Sequence, residues 1–267
     1  MAIRLIVNAD DFGFTHDVNE GIVEAHREGI LTATTLMANG AAFDQAVALA
    51  REVRSLDVGC HLVLVQGQSV ADPSRALPVT VTELAKLLFQ RKLPVYDELL
   101  AQVRKIVRAG IRPTHLDTHK HTHLLPPVLD AVARLAQEFR IPWVRRPFDF
   151  GIHRGARITK SAVAVGMRFT RPSFSRSLAR LKTTDHFAGF QITGTLREEN
   201  LLATLERLPE GLTELMCHPG KLGPELRSAA TRLKESRELE LSALKSPAVR
   251  QVISKRNIEL VNYRMCG

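Results

Sequence analysis

Two adjacent carboxylates, Asp10 and Asp11, and a run of imidazoles at every second position are the groups in this chain best suited to chemistry. The run holds His115, His119, His121 and His123, with Asp117 among them. Carboxylates held close together do not both carry charge freely unless a cation stands beside them. One of the pair could therefore bind a metal while the other takes up a proton. Imidazole is a common ligand for zinc and similar ions, and two histidines with one carboxylate form a familiar catalytic set. In an extended chain the alternating positions from 115 to 123 share one face. They are more than one ion can use, so those beyond His119 are expected to line the pocket or to stand behind the ligands. His61 follows Gly59 and Cys60 in an apolar run, and His218 precedes Pro219-Gly220. Each group also has a plainer reading. Asp-Asp-Phe-Gly makes a turn and helix cap, the histidine run a solvent-facing strand, His61 a hydrogen-bonded core residue, and His218 a loop residue.

What separates these readings is where the elements put the side chains. Strand-like runs at 3–9, 31–37, 57–65, 113–119, 141–146, 187–193, 212–217 and 258–263 alternate with helical patterns. The helices are expected at 16–28, 42–54, 81–91, 96–109, 127–139, 197–207, 227–243 and 247–255. Such alternation favours parallel strands covered by helices. At 267 residues the expected fold is α/β, a single-domain irregular (β/α) barrel of seven or eight mostly parallel strands. A doubly wound open sheet is the alternative. In both, the site lies at the C-terminal ends of the strands. Five strands end there in Asp10-Asp11, His61, the 115–123 run, Arg145-Arg146 and His218. Packing alone does not explain five such endings.

Composition narrows the function classes. No apolar run approaches the roughly 20 residues of a membrane-spanning helix, and the apolar stretch near Met1 is short for a signal peptide, so a cytoplasmic protein is expected. Three cysteines, Cys60, Cys217 and Cys266, have no close pairing and read as reduced. The formal charge is +9, yet residues 151–182 alone hold eight Lys/Arg and no acid. Without that segment the charge falls to +1 over the other 235 residues. The basic insert, at about 150–185, includes Arg154, Arg157, Lys160, Arg168, Arg171, Arg176, Arg180 and Lys182. Ile158, Ala162, Val165 and Phe169 fall on one helical face, with Arg157, Lys160, Arg168 and Arg171 on an adjoining one. Two readings follow: a helix covering the barrel, or a basic face touching anionic lipid at the inner side of a membrane. A nucleic-acid partner is not expected, because aromatic residues are only 5% and stacking platforms are scarce.

Four ordered motifs carry a likeness to a known family: Asn8-Ala-Asp-Asp-Phe-Gly13, Gly59-Cys-His61, Pro113-Thr-His-Leu-Asp-Thr-His119 and Met216-Cys-His-Pro219. Together they resemble the YdjC-like carbohydrate deacetylases, the chitooligosaccharide deacetylase family, over nearly the whole chain. Gly59-Cys-His-Leu-Val-Leu-Val65 and Asp185-His-Phe187, with the insert, look most like the hopanoid-biosynthesis-associated branch. The resemblance implies a metal-dependent hydrolase that removes the acetyl group of an N-acetylated amino sugar, either free or lipid-linked. It implies Asp11, His61 and His119 as ligands of one divalent ion (zinc, magnesium or another first-row ion). It implies Asp10 as general base and His218 as general acid. Arg145-Arg-Pro-Phe148 resembles the Arg-x-Pro element whose arginine orients the catalytic carboxylate. Arg145 is assigned that role with Arg146 as its alternative, and His121, His123 and Arg146 are assigned to substrate binding. The chain departs from the chitooligosaccharide enzymes at Lys120, where a histidine commonly stands, and in the insert. Both departures point away from a soluble chitobiose-like substrate. The competing class is a metal-dependent phosphoesterase or amidohydrolase on a similar barrel, which often uses two ions. A homodimer is the candidate assembly.

Overall fold

The structure, a computed structural model, describes residues 2–151 and 156–266. Its centre is a parallel sheet. The longest strand, β1 (Ile3–Phe12), is buried over all but its first two residues. It pairs on one side with β7 (Gly211–Cys217). On the other side it pairs with β2 (Ala33–Leu36) at Asn8–Phe12 and with the short β8 (Ile258–Leu260) at Ile3–Leu5. The strands β3 (Asp57–Leu62), β4 (His115–Thr118), β5 (Trp143–Val144) and β6 (His186–Ala188) complete the order β5-β4-β3-β2-β1-β7-β6. Strands buried on both faces suit a parallel sheet with helices around it.

The sheet curls, and its edges are tied by single bridges rather than by a ladder. Trp143 pairs with Lys182, and Asp149 with Phe187. Val144 N–H donates to the Lys182 carbonyl at 3.0 Å, and Phe150 N–H to that of Phe187 at 2.9 Å. The fold is thus an irregular (β/α) barrel and not a flat open sheet.

The helices follow the sequence pattern with small changes at their ends. In α1 (His16–Glu28) the Thr15 side chain accepts the Val18 N–H as an N-cap, and Gly29 closes the helix. The others around the sheet are α2 (Phe43–Glu52), α3 (Val81–Phe89), α4 (Val95–Arg108), α5 (Pro126–Glu138) and α8 (Glu198–Leu205). One expected helix, 227–243, is two: α9 (Pro224–Ser228) and α10 (Glu235–Lys245), followed by α11 (Pro247–Lys255). The break re-aims α10 so that Arg237 and Glu240 point into the barrel end, where both are buried. Among the described residues no helix is long and apolar enough to cross a membrane. Cys60, Cys217 and Cys266 are free.

The insert holds α6 (Ile158–Met167) and α7 (Arg171–Ser177), joined by a tight turn at 168–170. Arg154 lies outside the described residues. The expected orientation of α6 is reversed. The apolar face points outward: Ile158 is 88% exposed, Val165 49% and Phe169 86%. The basic face lies partly against the barrel, while Arg157 and Arg168 stay largely exposed at its ends. Lys160 Nζ sits 4.8 Å from the Phe190 ring centre, Arg168 Nη2 donates to the Asp149 carbonyl at 3.1 Å, and Arg171 lies over the Phe148 ring. Cations over ring faces and on carbonyl groups satisfy this inward side without an apolar contact.

Candidate metal centre and catalytic site

The site begins with an irregularity in β1. The pairing with β2 slips between Ala9 and Phe12, and Asp11 has φ 69°. In a regular strand Asp10 and Asp11 would face opposite sides of the sheet. The bulge turns both to the barrel end, where both are buried. Aspartate is among the few non-glycine residues that tolerate this left-handed backbone.

Three atoms from three elements meet there. Asp11 Oδ1 is 3.3 Å from His61 Nε2 on β3 and 3.3 Å from His119 Nδ1, just past β4. The two imidazole nitrogens are 3.2 Å apart. His61 is aimed by its other nitrogen: Nδ1 meets Asp117 Oδ1 at 2.7 Å. With the proton placed on Nδ1, the Nε2 lone pair points into the triangle, an arrangement typical of metal-binding histidines. Asp11 is fixed from behind by Arg237, whose Nη2 donates to Oδ2 at 2.5 Å.

These residues fit a divalent ion. Asp11 Oδ1 is buried and accepts no hydrogen bond, although two nitrogens crowd it. The buried carboxyl groups Asp10, Asp11, Asp117, Glu214 and Glu240 outnumber the two buried guanidinium groups there, Arg145 and Arg237. Burial opposes charge on His61, yet Asp117, Asp11 and Asp10 outweigh it and lift its pKa to about 10. The site attracts positive charge, and two nitrogens with one oxygen suit zinc or another first-row ion better than magnesium.

A second acidic group, Asp10 with His61 and Asp117, also has ligand-like spacing. Arg145 already fills it. Its Nη2 donates to Asp10 Oδ1 at 2.6 Å and its Nη1 to Asp10 Oδ2 at 2.8 Å. The same Nη1 is 2.5 Å from Asp117 Oδ2, and Nε donates to Glu214 Oε1 at 2.7 Å. Burial alone would raise the Asp10 pKa, but Arg145 holds it well below the usual carboxylate range. Arg145 therefore orients Asp10. Arg146 is half-buried and takes its favourable charge from Asp185.

His218 follows β7 directly. Its backbone N–H donates to Glu240 Oε2 at 2.5 Å, and its Nε2 lies 3.9 Å from Asp10 Oδ2. Burial pushes its pKa down to about 4 and lifts that of Glu240 to about 7.

The histidine run does not keep one face. β4 stops at Thr118, and Lys120 and His121 take positive φ in the turn that follows. His115 faces inward and meets Asn8 Oδ1 at 2.9 Å, and Asn8 Nδ2 donates to Asp10 Oδ1 at 3.1 Å. His123 has no exposure. Its nitrogens meet Thr118 Oγ1 at 2.6 Å and the Arg145 carbonyl at 3.2 Å, so it supports Arg145 instead of reaching a substrate. His121 sits nearer the surface, with its ring 5.9 Å from Phe187 and 5.6 Å from Phe190.

Sequence reasoning missed Arg237, Glu240 and Glu214. A signal existed for the first two. Arg237, Glu240, Leu241 and Leu244 lie three or four residues apart on one helix, so charged groups occupy an otherwise apolar stripe.

Comparisons with known proteins show the family of the chain. Residues 4–255 match the family model described as YdjC-like protein. A carbohydrate deacetylase of Brevibacillus brevis is 33% identical over 270 residues, 99% of this chain and all of that one. A chitooligosaccharide deacetylase of Klebsiella pneumoniae is 33% identical over 97% of this chain and 98% of its own. A crystal structure from Enterococcus faecalis, of a protein proposed to cleave cellobiose phosphate, superposes with a TM-score of 0.79 at 26% identity, covering both chains fully. With its inward carboxylates, its histidine pair and a match over nearly its whole length, the chain belongs to the YdjC-like family.

Proposed function

We propose that this protein is a carbohydrate deacetylase that removes the acetyl group of an N-acetylated amino sugar, using one divalent ion held by Asp11, His61 and His119. The observation that carries this reading is the triangle of Asp11 Oδ1, His61 Nε2 and His119 Nδ1, with sides of 3.2–3.3 Å. When bound, such an ion supplies Lewis-acid polarisation of the acetyl carbonyl and acidifies water. The chain's own residues do the rest. Arg145 keeps Asp10 ionised and fixed, so that Asp10 takes the proton of the attacking water as general base. His218, beside Asp10 at 3.9 Å, gives a proton to the departing sugar nitrogen. In the free site burial keeps its imidazole neutral at neutral pH. Asp10 Oδ2 at 3.9 Å and Glu240 Oε2 at 4.0 Å are the acidic groups that face its ring and can exchange a proton with it.

A two-ion phosphoesterase fits less well, because Arg145 stands where a second ion would need Asp10 and Asp117. The finer reading places the sugar on a lipid, as an N-acetylglucosaminyl hopanoid. It is supported by the Gly59–Val65 and Asp185–Phe187 motifs and by a basic insert that enters after β5, at the strand ends that carry the site.

Acetate release from free N-acetylglucosamine, chitobiose and an N-acetylglucosaminyl lipid, each with and without chelator, tests both levels. Release that is greatest on the lipid and lost with chelator is expected. Release undiminished by chelator would remove the metal, and no release from any N-acetylated sugar would remove the activity.

A further inference from the structure

The reversed orientation of α6 has no packing explanation within the chain. Single exposed apolar residues are ordinary. Here Ile158, Ala162, Val165 and Phe169 recur at spacings of four, three and four, so they share one face, and all four point to solvent. Turning the helix by half a revolution would bury them, yet the inward side is held by Lys160, Ser161 and Ala164. Lys160 Nζ donates to the Phe190 carbonyl at 3.3 Å, and Ser161 Oγ meets Gln191 Oε1 at 3.1 Å. Exposed arginines stand at the two ends of the strip, Arg157 before the helix and Arg168 after it.

We propose that this face of α6 docks the enzyme on an anionic lipid bilayer, with Ile158, Val165 and Phe169 entering the interfacial region and Arg157 and Arg168 meeting the headgroups. An apolar strip bounded by arginines is the surface that lies in a membrane interface. Long cationic side chains at its ends keep their charge among phosphates while their stems follow the apolar face. The charge balance selects the bilayer over a second copy of the chain. Exposed Arg157 and Arg168 flank the strip and residues 151–182 contain no acid to pair with them, so a twofold contact through this face would oppose like charges. An anionic leaflet supplies the missing sign.

The position relative to the site gives docking a purpose. Phe190 touches Lys160 of α6 on one side and His121 on the other, and His121 is two residues from His119. Through Phe190, α6 is thus linked to the turn after β4 that carries His119 and His121. This purpose rests on the lipid-linked reading of the substrate, whereas the docking rests on α6 alone.

Vesicle co-sedimentation of the full chain without substrate tests it. One set of vesicles is phosphatidylcholine alone, and the other contains about one third phosphatidylglycerol. The wild type is expected to bind the anionic set, to release with added salt, and to leave the neutral set free. Ile158→Ser/Phe169→Ser is expected to lower anionic-vesicle partitioning about tenfold or more, with an unchanged melting temperature and unchanged acetate release from a soluble N-acetylated sugar. Equal and negligible binding to both vesicle sets would overturn the proposal. So would anionic binding unaltered by the double substitution, or a dimer in analytical ultracentrifugation that the substitution dissolves, which would assign the strip to a second copy. Because no substrate is present, a failed deacetylase reading leaves this result intact.

Discussion

Arg145 holds together charges that could not be buried separately. One guanidinium faces Asp10, Asp117 and Glu214, all buried, and removing such a cation leaves uncompensated charge in a low-dielectric setting. Asp10, the proposed general base, is one of the three carboxylates in this network. Asp10→Asn keeps the shape and the Asn8 contact but removes the proton acceptor. The variant should bind metal normally and lose turnover by roughly 100-fold or more. Acetate release and metal content measured on the same sample check this, and near-normal turnover would remove Asp10 as base. Arg237 acts one step further out, on Asp11 Oδ2. Arg237→Met should weaken divalent-ion affinity about 10–100-fold, as loss of a partner behind a ligand generally does. Competition with a chromogenic chelator reads that change without activity. At this scale the sequence was legible for groups that stand at strand ends in recognisable motifs, such as Asp10, His61 and His218. Arg237 and Glu240 were hidden because they approach from a helix more than 200 residues away from Asp11.

Elements decide whether those side chains converge. The bulge at Asp11 and the end of β4 at Thr118 were not readable, since both depend on backbone turns that alternation of residue types does not specify. That is why His123 looked like a pocket residue and is a buried support. Gly59 shows how tightly neighbouring strands fix the register. A Cβ there would lie 2.5 Å from the His115 carbonyl oxygen and 2.6 Å from its ring. Gly59→Ala should destabilise the fold by about 1–3 kcal/mol through overpacking and pull His115 from Asn8. Urea unfolding measures the loss, and an unchanged midpoint would mean the strands part easily. The contact between α10 and the turn after β7 gives a pH signature. Burial lifts the Glu240 pKa from 4.5 to about 7, so in that window the folded chain holds more protons than the unfolded one. Stability from this group therefore falls as pH rises through it. Glu240→Gln should lessen the decline in stability between about pH 5 and pH 8 by on the order of 1–3 kcal/mol. Parallel melting curves for both proteins would show it, and identical pH dependence would contradict it.

For the whole molecule, the alternation of strands and helices was enough to foresee a parallel barrel, because periodicity and turn residues are local properties. The way it closes was not, since Trp143–Lys182 and Asp149–Phe187 are isolated pairings between segments with no shared pattern. The insert was visible as a block of charge, but which side of α6 faces out depends on Phe190 and Gln191, on a loop far along the chain. The same global closure brings Asp11 from β1, His61 from β3 and His119 from beyond β4 to within 3.3 Å of one another, and the functional account stands on that meeting. Calorimetric titration of metal-free protein with zinc tests it most directly. The wild type should take up one ion per chain, and His61→Ala and His119→Ala should each lose that stoichiometric binding while remaining folded. Unaltered zinc uptake in the two variants, or none in the wild type, would contradict the account.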